Sequence, residues 1–146
     1  MSEGKVVVSV EQLNEFLVTQ FPQTSMRVEQ VNEEGARVRQ KITQAELRPG
    51  GTVSGPVMFQ VADCALYVGI LGRIGIVPLA VTTNMNINFL RKPSAERDII
   101  GVCKLIKVGK TLAIGEVTIY SEGLDEPVAH AVGTYAIPPK KLSAQP

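Results

Sequence analysis

The sequence predicts an α+β domain in which one antiparallel β-sheet wraps around a single long central helix, with a short helix ahead of both. Three observations lead there. The segment GPVMFQVADCALYVGILG, Gly55 to Gly72, is apolar on nearly every side and carries one carboxylate, Asp63, which suits a helix buried all round. After Pro78 come LAVTTNMNINFL, DIIGVCKLIKV, TLAIGEVTIYS and PVAHAVGTYAI, four runs with the alternation of strands. The order helix, two strands, long helix, four strands needs only short links in a meander, and the central helix finds its burial against the sheet.

Taken in order, Ser9 and Gln12 form a capping box, and Leu13, Phe16, Leu17 and Gln20 follow at helical spacing until Pro22. In MRVEQVNEEGARVRQKIT two strands flank the turn Asn32-Glu33-Glu34-Gly35, because Val38, Gln40 and Ile42 alternate with Arg37, Arg39 and Lys41. That is a hairpin with one wet face. The stretch LRPGGTVSG, Leu47 to Gly55, is too rich in turn residues for periodic structure. Pro56 then stands at the first helical position, after Ser54 or Gly55 as cap. Gly109-Lys110 and Gly123 to Glu126 supply the turns between the last three strands.

A chain of 146 residues is long enough to bury about two-thirds of its unfolded surface in one core. It therefore reads as a single domain over 1–146, with a helical region over about 1–24, the core over about 25–137 and a tail over 138–146. Fifteen basic against fourteen acidic residues leave a net charge of +1, which gives no general field for nucleic acid or an anionic membrane. The start MSEGKVVVSV lacks the basic n-region and cleavage site of a signal peptide. Cys64 and Cys103 lie in apolar runs without CxxC or Cys/His spacing, as reduced thiols in a cytoplasmic protein would. The eighteen residues from Gly55 nearly reach the length of a membrane span, yet Asp63, Gln60, three glycines and the following Arg73 favour a buried helix.

Asp63 is the residue that needs explaining. An unpaired carboxylate in apolar surroundings costs several kcal/mol, so it must find donors, stay protonated or border a cleft. A structural bond to a neighbouring backbone or side chain is one reading and a reactive carboxylate the other. The helix start supplies a second feature: the orphan amides around Gly55, at the positive end of the helix dipole, can hold an oxyanion, with Pro56 removing one donor. Eight residues separate Gly55 from Asp63, about 12 Å along a helix, so the two meet at one substrate only if a two-fold dimer sets one chain's Asp63 against the other's Gly55.

The segment GGTVSGPVMFQVADCALYVGI, with NMNINFLRKP, KVGKTLAIGEVTIY and PVAHAVGTYAI, resembles the hotdog-fold acyl-CoA thioesterases of the phenylacetate-degradation (PaaI-like) group over about residues 35 to 137. The resemblance implies a hydrolase in which the sheet wraps the helix, dimers join sheets edge to edge, and dimers associate into a homotetramer. The group's His-Gly-Gly at the helix start and Leu-Ala-Asp within it correspond here to Ser54-Gly55-Pro56 and Val61-Ala62-Asp63. By the same resemblance, the Gly55 amide polarises the thioester carbonyl, Asp63 of the partner subunit activates water or attacks directly, and Thr82 orients the water. Substrate contacts are implied at Ser54, at Asn84 and at Arg48, which takes the place of an Asn in some members.

Coenzyme A carries phosphates, and Arg91, Lys92 and Lys110 are the basic residues expected to meet them, with Gly109 leaving room. No cofactor is implied, since CoA belongs to the substrate. His130 alternates with Val128 and Val132 and reads as a packed or edge histidine, and the shortage of His, Cys and acidic clusters argues against a metal. Thioester hydrolysis is the first functional reading. The second, motivated by the altered His-Gly-Gly, is a non-catalytic hotdog module that binds an acyl-CoA or another acyl ligand.

Overall fold

A computed structural model describes residues 5–139, so the tail expected over 138–146 lies almost wholly outside the described residues. The chain runs α1 (Val10–Gln20), β1 (Met26–Asn32), β2 (Gly35–Gln40), a 3-10 turn (Gln44–Glu46), β3 (Leu47–Arg48), β4 (Thr52–Val53), α2 (Gly55–Ile74), β5 (Val81–Phe89), β6 (Ile99–Val108), β7 (Leu112–Ser121) and β8 (Pro127–Ala136). Helix α1 starts on the expected box: the Ser9 hydroxyl accepts from the Gln12 amide at 3.1 Å and the Gln12 side chain accepts from the Ser9 amide at 2.9 Å. Leu13 and Leu17 are buried, whereas Gln20 is exposed and Val10 takes its place on the packed face.

Six strands form one antiparallel sheet in the order β1-β2-β6-β7-β8-β5. The sequence reading of helix, hairpin, long helix and meander therefore holds, with β5 returning to the far edge beside β8. Alternation sets the inner face, where Val38, Gly101, Cys103, Val117 and Ala131 are all buried beneath α2. On the outer face Arg39 ties four segments together, pairing with Glu29 at 2.5 Å, Asp98 at 2.9 Å and Glu122 at 2.9 Å.

Two expectations need correction. The stretch from Leu47 to Gly55 contains a small ribbon, with Leu47 opposite Val53 and Arg48 opposite Thr52. Gly50 and Gly51, at φ 97° and 77°, let the chain reverse tightly enough for those pairs to form. Helix α2 is also not buried all round. Its second half is enclosed from Ala65 to Gly72, but Pro56, Phe59, Gln60 and Asp63, spaced i, i+3, i+4, i+7, form a stripe that the chain covers only partly. One sheet covers one side of a helix; the other side of this half is open.

The cap of α2 is Ser54, whose hydroxyl accepts from the Val57 amide at 3.3 Å, so Gly55 is the first helical residue and Pro56 the second. Gly75 closes the helix at φ 96° and donates to the Leu71 carbonyl at 2.8 Å. By length and composition α2 could cross a membrane, yet most of it is packed inside the fold.

Candidate active site

Asp63 finds two donors. The Thr82 hydroxyl and the Tyr135 phenol both donate to its Oδ1, each at 2.7 Å. The two come together because Thr82 on β5 pairs with Tyr135 on β8. No described residue bonds Oδ2, and no buried side-chain polar atom among the described residues lacks a partner, so Oδ2 is solvent accessible. It opens on a cavity of about 750 Å³, walled by Asp63, Cys64, Gln60 and Tyr67 of α2, by Leu17 of α1 and Phe21 just past its end, and by Val81, Thr82 and Tyr135 of the sheet.

The walls are mainly apolar and aromatic. Phe21 meets Tyr67 edge-on at 6.3 Å, and Tyr67 stacks on Tyr135 at 5.6 Å. Burial pushes the Tyr135 phenol well above its ordinary value, with the Asp63 charge adding to the effect. It therefore keeps its proton and remains a donor. Burial, seconded by the Asp63 charge, likewise pushes the Cys64 thiol up to about 12, which leaves it without thiolate character. Cys103 is also raised to about 12 by burial, and both cysteines are free. A carboxylate clamped at one oxygen and open at the other beside an apolar cavity can take a proton from water near a bound acyl group.

Gly55 lies outside that cavity. Its side toward the sheet faces the Phe89 ring, 3.4 Å from where a methyl would stand, and its amide donates to no described group. Gly55 thus sits by the Phe89 end of β5 and Asp63 by the Thr82 end, so one chain does not unite them. Ser54 caps the helix and points its hydroxyl at Val57. Arg48 is exposed on the ribbon before α2, and Asn84 is exposed on the outer face beside a bulge between Thr82 and Asn84.

Arg91, Lys92 and Lys110 are not brought together within one chain. Phe89 pairs with Ala129 whereas Val81 and Leu112 both pair with Ala136, so Arg91 and Lys92 lie at one end of the sheet and Lys110 at the other. Arg91 is further engaged by the Pro127 carbonyl and Glu126. Lys92 and Lys110 are exposed, and the Gly109 amide closes its turn on the Leu112 carbonyl at 2.8 Å. His130 is half-exposed on the outer face of β8, an interior strand rather than an edge, and bonds Glu116 of the neighbouring β7 at 2.8 Å. Among the described residues no group of three or more His, Cys, Asp or Glu side chains could hold a metal.

The profile of the thioesterase superfamily matches residues 50–128, from the ribbon before α2 to the start of β8. The chain belongs to the thioesterase superfamily. Among solved structures, a candidate thioesterase from a Silicibacter species shares 40% identity, with 94% of this chain and 96% of that one covered and a TM-score of 0.87. Zebra fish thioesterase superfamily member 2 is 17% identical over 90% of this chain and 100% of its own, with a TM-score of 0.80. A mutant of the phenylacetic acid degradation protein PaaI from Thermus thermophilus is 20% identical over 85% of this chain and 99% of its own, with a TM-score of 0.69. No curated protein sequence matches the chain. The superfamily's hotdog architecture accounts for the sheet wrapped on α2, and membership supports thioester hydrolysis as the general chemistry.

Sequence reasoning singled out Asp63 and Thr82 but missed Tyr135, Tyr67 and Phe21. Tyr135 carries the one hydroxyl among the inward positions of β8, after Ala129, Ala131 and Gly133. That signal is legible, but its partner is 72 residues away.

Proposed function

We propose that this thioesterase superfamily member hydrolyses acyl-CoA or aryl-CoA thioesters at a site shared by two copies of the chain. The observation that carries the reading is Asp63 itself, held at Oδ1 and open at Oδ2 to an apolar cavity. Water beside Oδ2 gives its proton to the carboxylate as its oxygen attacks the thioester carbonyl carbon. The resulting oxyanion accepts a hydrogen bond from the Gly55 amide of the partner subunit, the C–S bond breaks, and the CoA thiolate leaves with the proton that Asp63 took. The products are the free acid and CoA. Activation of water needs only one hydrogen bond from the water to Oδ2, which the roomy cavity allows; direct attack by the carboxylate is the other route.

The pairing of two chains is argued from β5. This edge strand has β8 on one side only, and its sequence VTTNMNINF contains no Lys, Glu or Pro to discourage pairing. Val81, Phe89 and Phe59 beside it are exposed. Antiparallel pairing of β5 with its copy sets the Thr82 end of one strand against the Phe89 end of the other, and so brings Asp63 towards Gly55 of the partner subunit. The same symmetry returns Lys110 of the partner subunit to the end that carries Lys92, where the two could meet the CoA phosphates; Arg91 would first have to leave Glu126.

The test is hydrolysis of a panel of acyl-CoA and aryl-CoA thioesters by wild type and Asp63→Asn. The reading expects kcat to fall by about 100-fold or more in the variant. Equal rates on every hydrolysed substrate would remove Asp63 from the mechanism. The altered Ser54-Gly55-Pro56 signature motivates the other reading, a binding module without turnover, which predicts no hydrolysis by wild type and a melting temperature raised by CoA esters.

A further inference from the structure

We infer that Tyr135 is a positioning residue for this hydrolysis: its phenol, with the Thr82 hydroxyl, fixes the plane of the Asp63 carboxylate so that Oδ2 alone faces the cavity. The inference rests on the reading of Asp63 as the base. An aspartate's last torsion is broad and nearly two-fold, so one hydrogen bond does not decide which oxygen meets the substrate. Two donors arriving from different strands do. Thr82 comes from the edge strand beside a bulge, and Tyr135 from the sheet interior, 4% exposed.

The tyrosine is itself held. Its ring stacks on Tyr67 at 5.6 Å with 21° between planes, and the Tyr67 hydroxyl donates to the Pro78 carbonyl at 3.2 Å. The phenol also lies 3.3 Å from the Asp63 carbonyl, so it engages both the side chain and the backbone of that residue. A carboxylate only accepts, so each hydroxyl must donate to it. The titratable groups facing Asp63 within the described chain are Cys64 and Tyr67 from α2 and Tyr135 from β8. Strand β5 contributes Thr82, α1 contributes Leu17, its C-cap contributes Phe21, and β1 contributes Met26, none of which titrates.

Tyr135→Phe removes the hydroxyl and keeps the ring. The clamp predicts a kcat lower by about 10- to 100-fold with KM changed less than about two-fold, because misorientation affects the reacting atom more than binding. In this variant the Asp63 carboxyl carbon-13 signal at one fixed pH must also move, a readout of its hydrogen bonding that is independent of turnover. Thr82→Val must lower kcat and move that signal as Tyr135→Phe does, and Thr82→Ser must restore both. If Asp63→Asn is as active as wild type, the base reading itself fails. If Asp63→Asn is inactive while Tyr135→Phe keeps the wild-type Asp63 carbon-13 signal, only the positioning role is overturned, whatever happens to kcat.

Discussion

Gly101→Ala would add one methyl group between β6 and α2. That methyl would lie 2.7 Å from Val61 Cγ1, 3.4 Å from Val38 Cγ2 and 3.5 Å from the Ala65 Cβ. Carbon atoms pack best at about 3.5–4.0 Å, so the first contact is short by about 1 Å while the other two are tolerable. Val61 is fully buried on a helix, where a β-branched residue has essentially one rotamer, and it cannot swing aside. The helix must therefore lift, at a cost of about 1–3 kcal/mol. Val61→Ala alone leaves a void and costs about 1–3 kcal/mol. In the double variant the methyl at 101 enters that void, so the two costs do not add, and a coupling of about 1–2 kcal/mol is expected. Urea unfolding of the four proteins at one fixed concentration measures it. Additivity within about 0.5 kcal/mol would refute the idea that the bare backbone at Gly101 sets how closely α2 approaches the sheet.

Two further perturbations probe other parts of the account. Phe21 is half-exposed at the end of α1 and walls the cavity, so Phe21→Ala should leave stability nearly unchanged and raise kcat/KM for bulkier acyl groups relative to small ones by about 10-fold. An unchanged ratio across the panel would exclude α1 from substrate selection. Arg39 holds the Glu29 and Glu122 carboxyls below their ordinary value of 4.5, chiefly through its hydrogen bonds. A lowered carboxyl contributes stability above its unfolded value and loses it as pH falls through its folded value. Wild type should therefore lose stability on acidification below about pH 4.5, and Arg39→Gln should show a shallower acid dependence in unfolding titrations. Equal slopes would contradict the network.

Local chemistry made much of the fold legible. The Ser9 and Gln12 box, the Ser54 cap and the alternation around Val38 depend on residues a few positions apart, and the structure contains each of them. The ribbon at Leu47–Val53 escaped because two residues per strand carry no period, and only the paired glycines hint at it. The open stripe of Pro56, Phe59, Gln60 and Asp63 escaped for another reason: an apolar sequence does not say which side of a helix the same chain covers. Asp63 stood out as a charge among apolar residues, whereas Tyr135 needed the knowledge that β5 returns to lie beside β8. Lys110 and Arg91 looked like one cluster because each borders a turn; topology sends those turns to opposite ends of the sheet.

The central claim is that Asp63 works with Gly55 of the partner subunit, and mixing two variants tests it directly. Asp63→Asn removes the base; Gly55→Pro removes the free amide at the first helical position. Each variant alone should be inactive while retaining the wild-type circular dichroism. Unfolded and refolded together in equal amounts, half of the dimers pair unlike chains. Each of those contains one site with both groups intact, so the mixture should recover about a quarter of wild-type activity. A mixture as inactive as its parents, with mixed dimers confirmed by native mass spectrometry, would contradict a site shared between subunits.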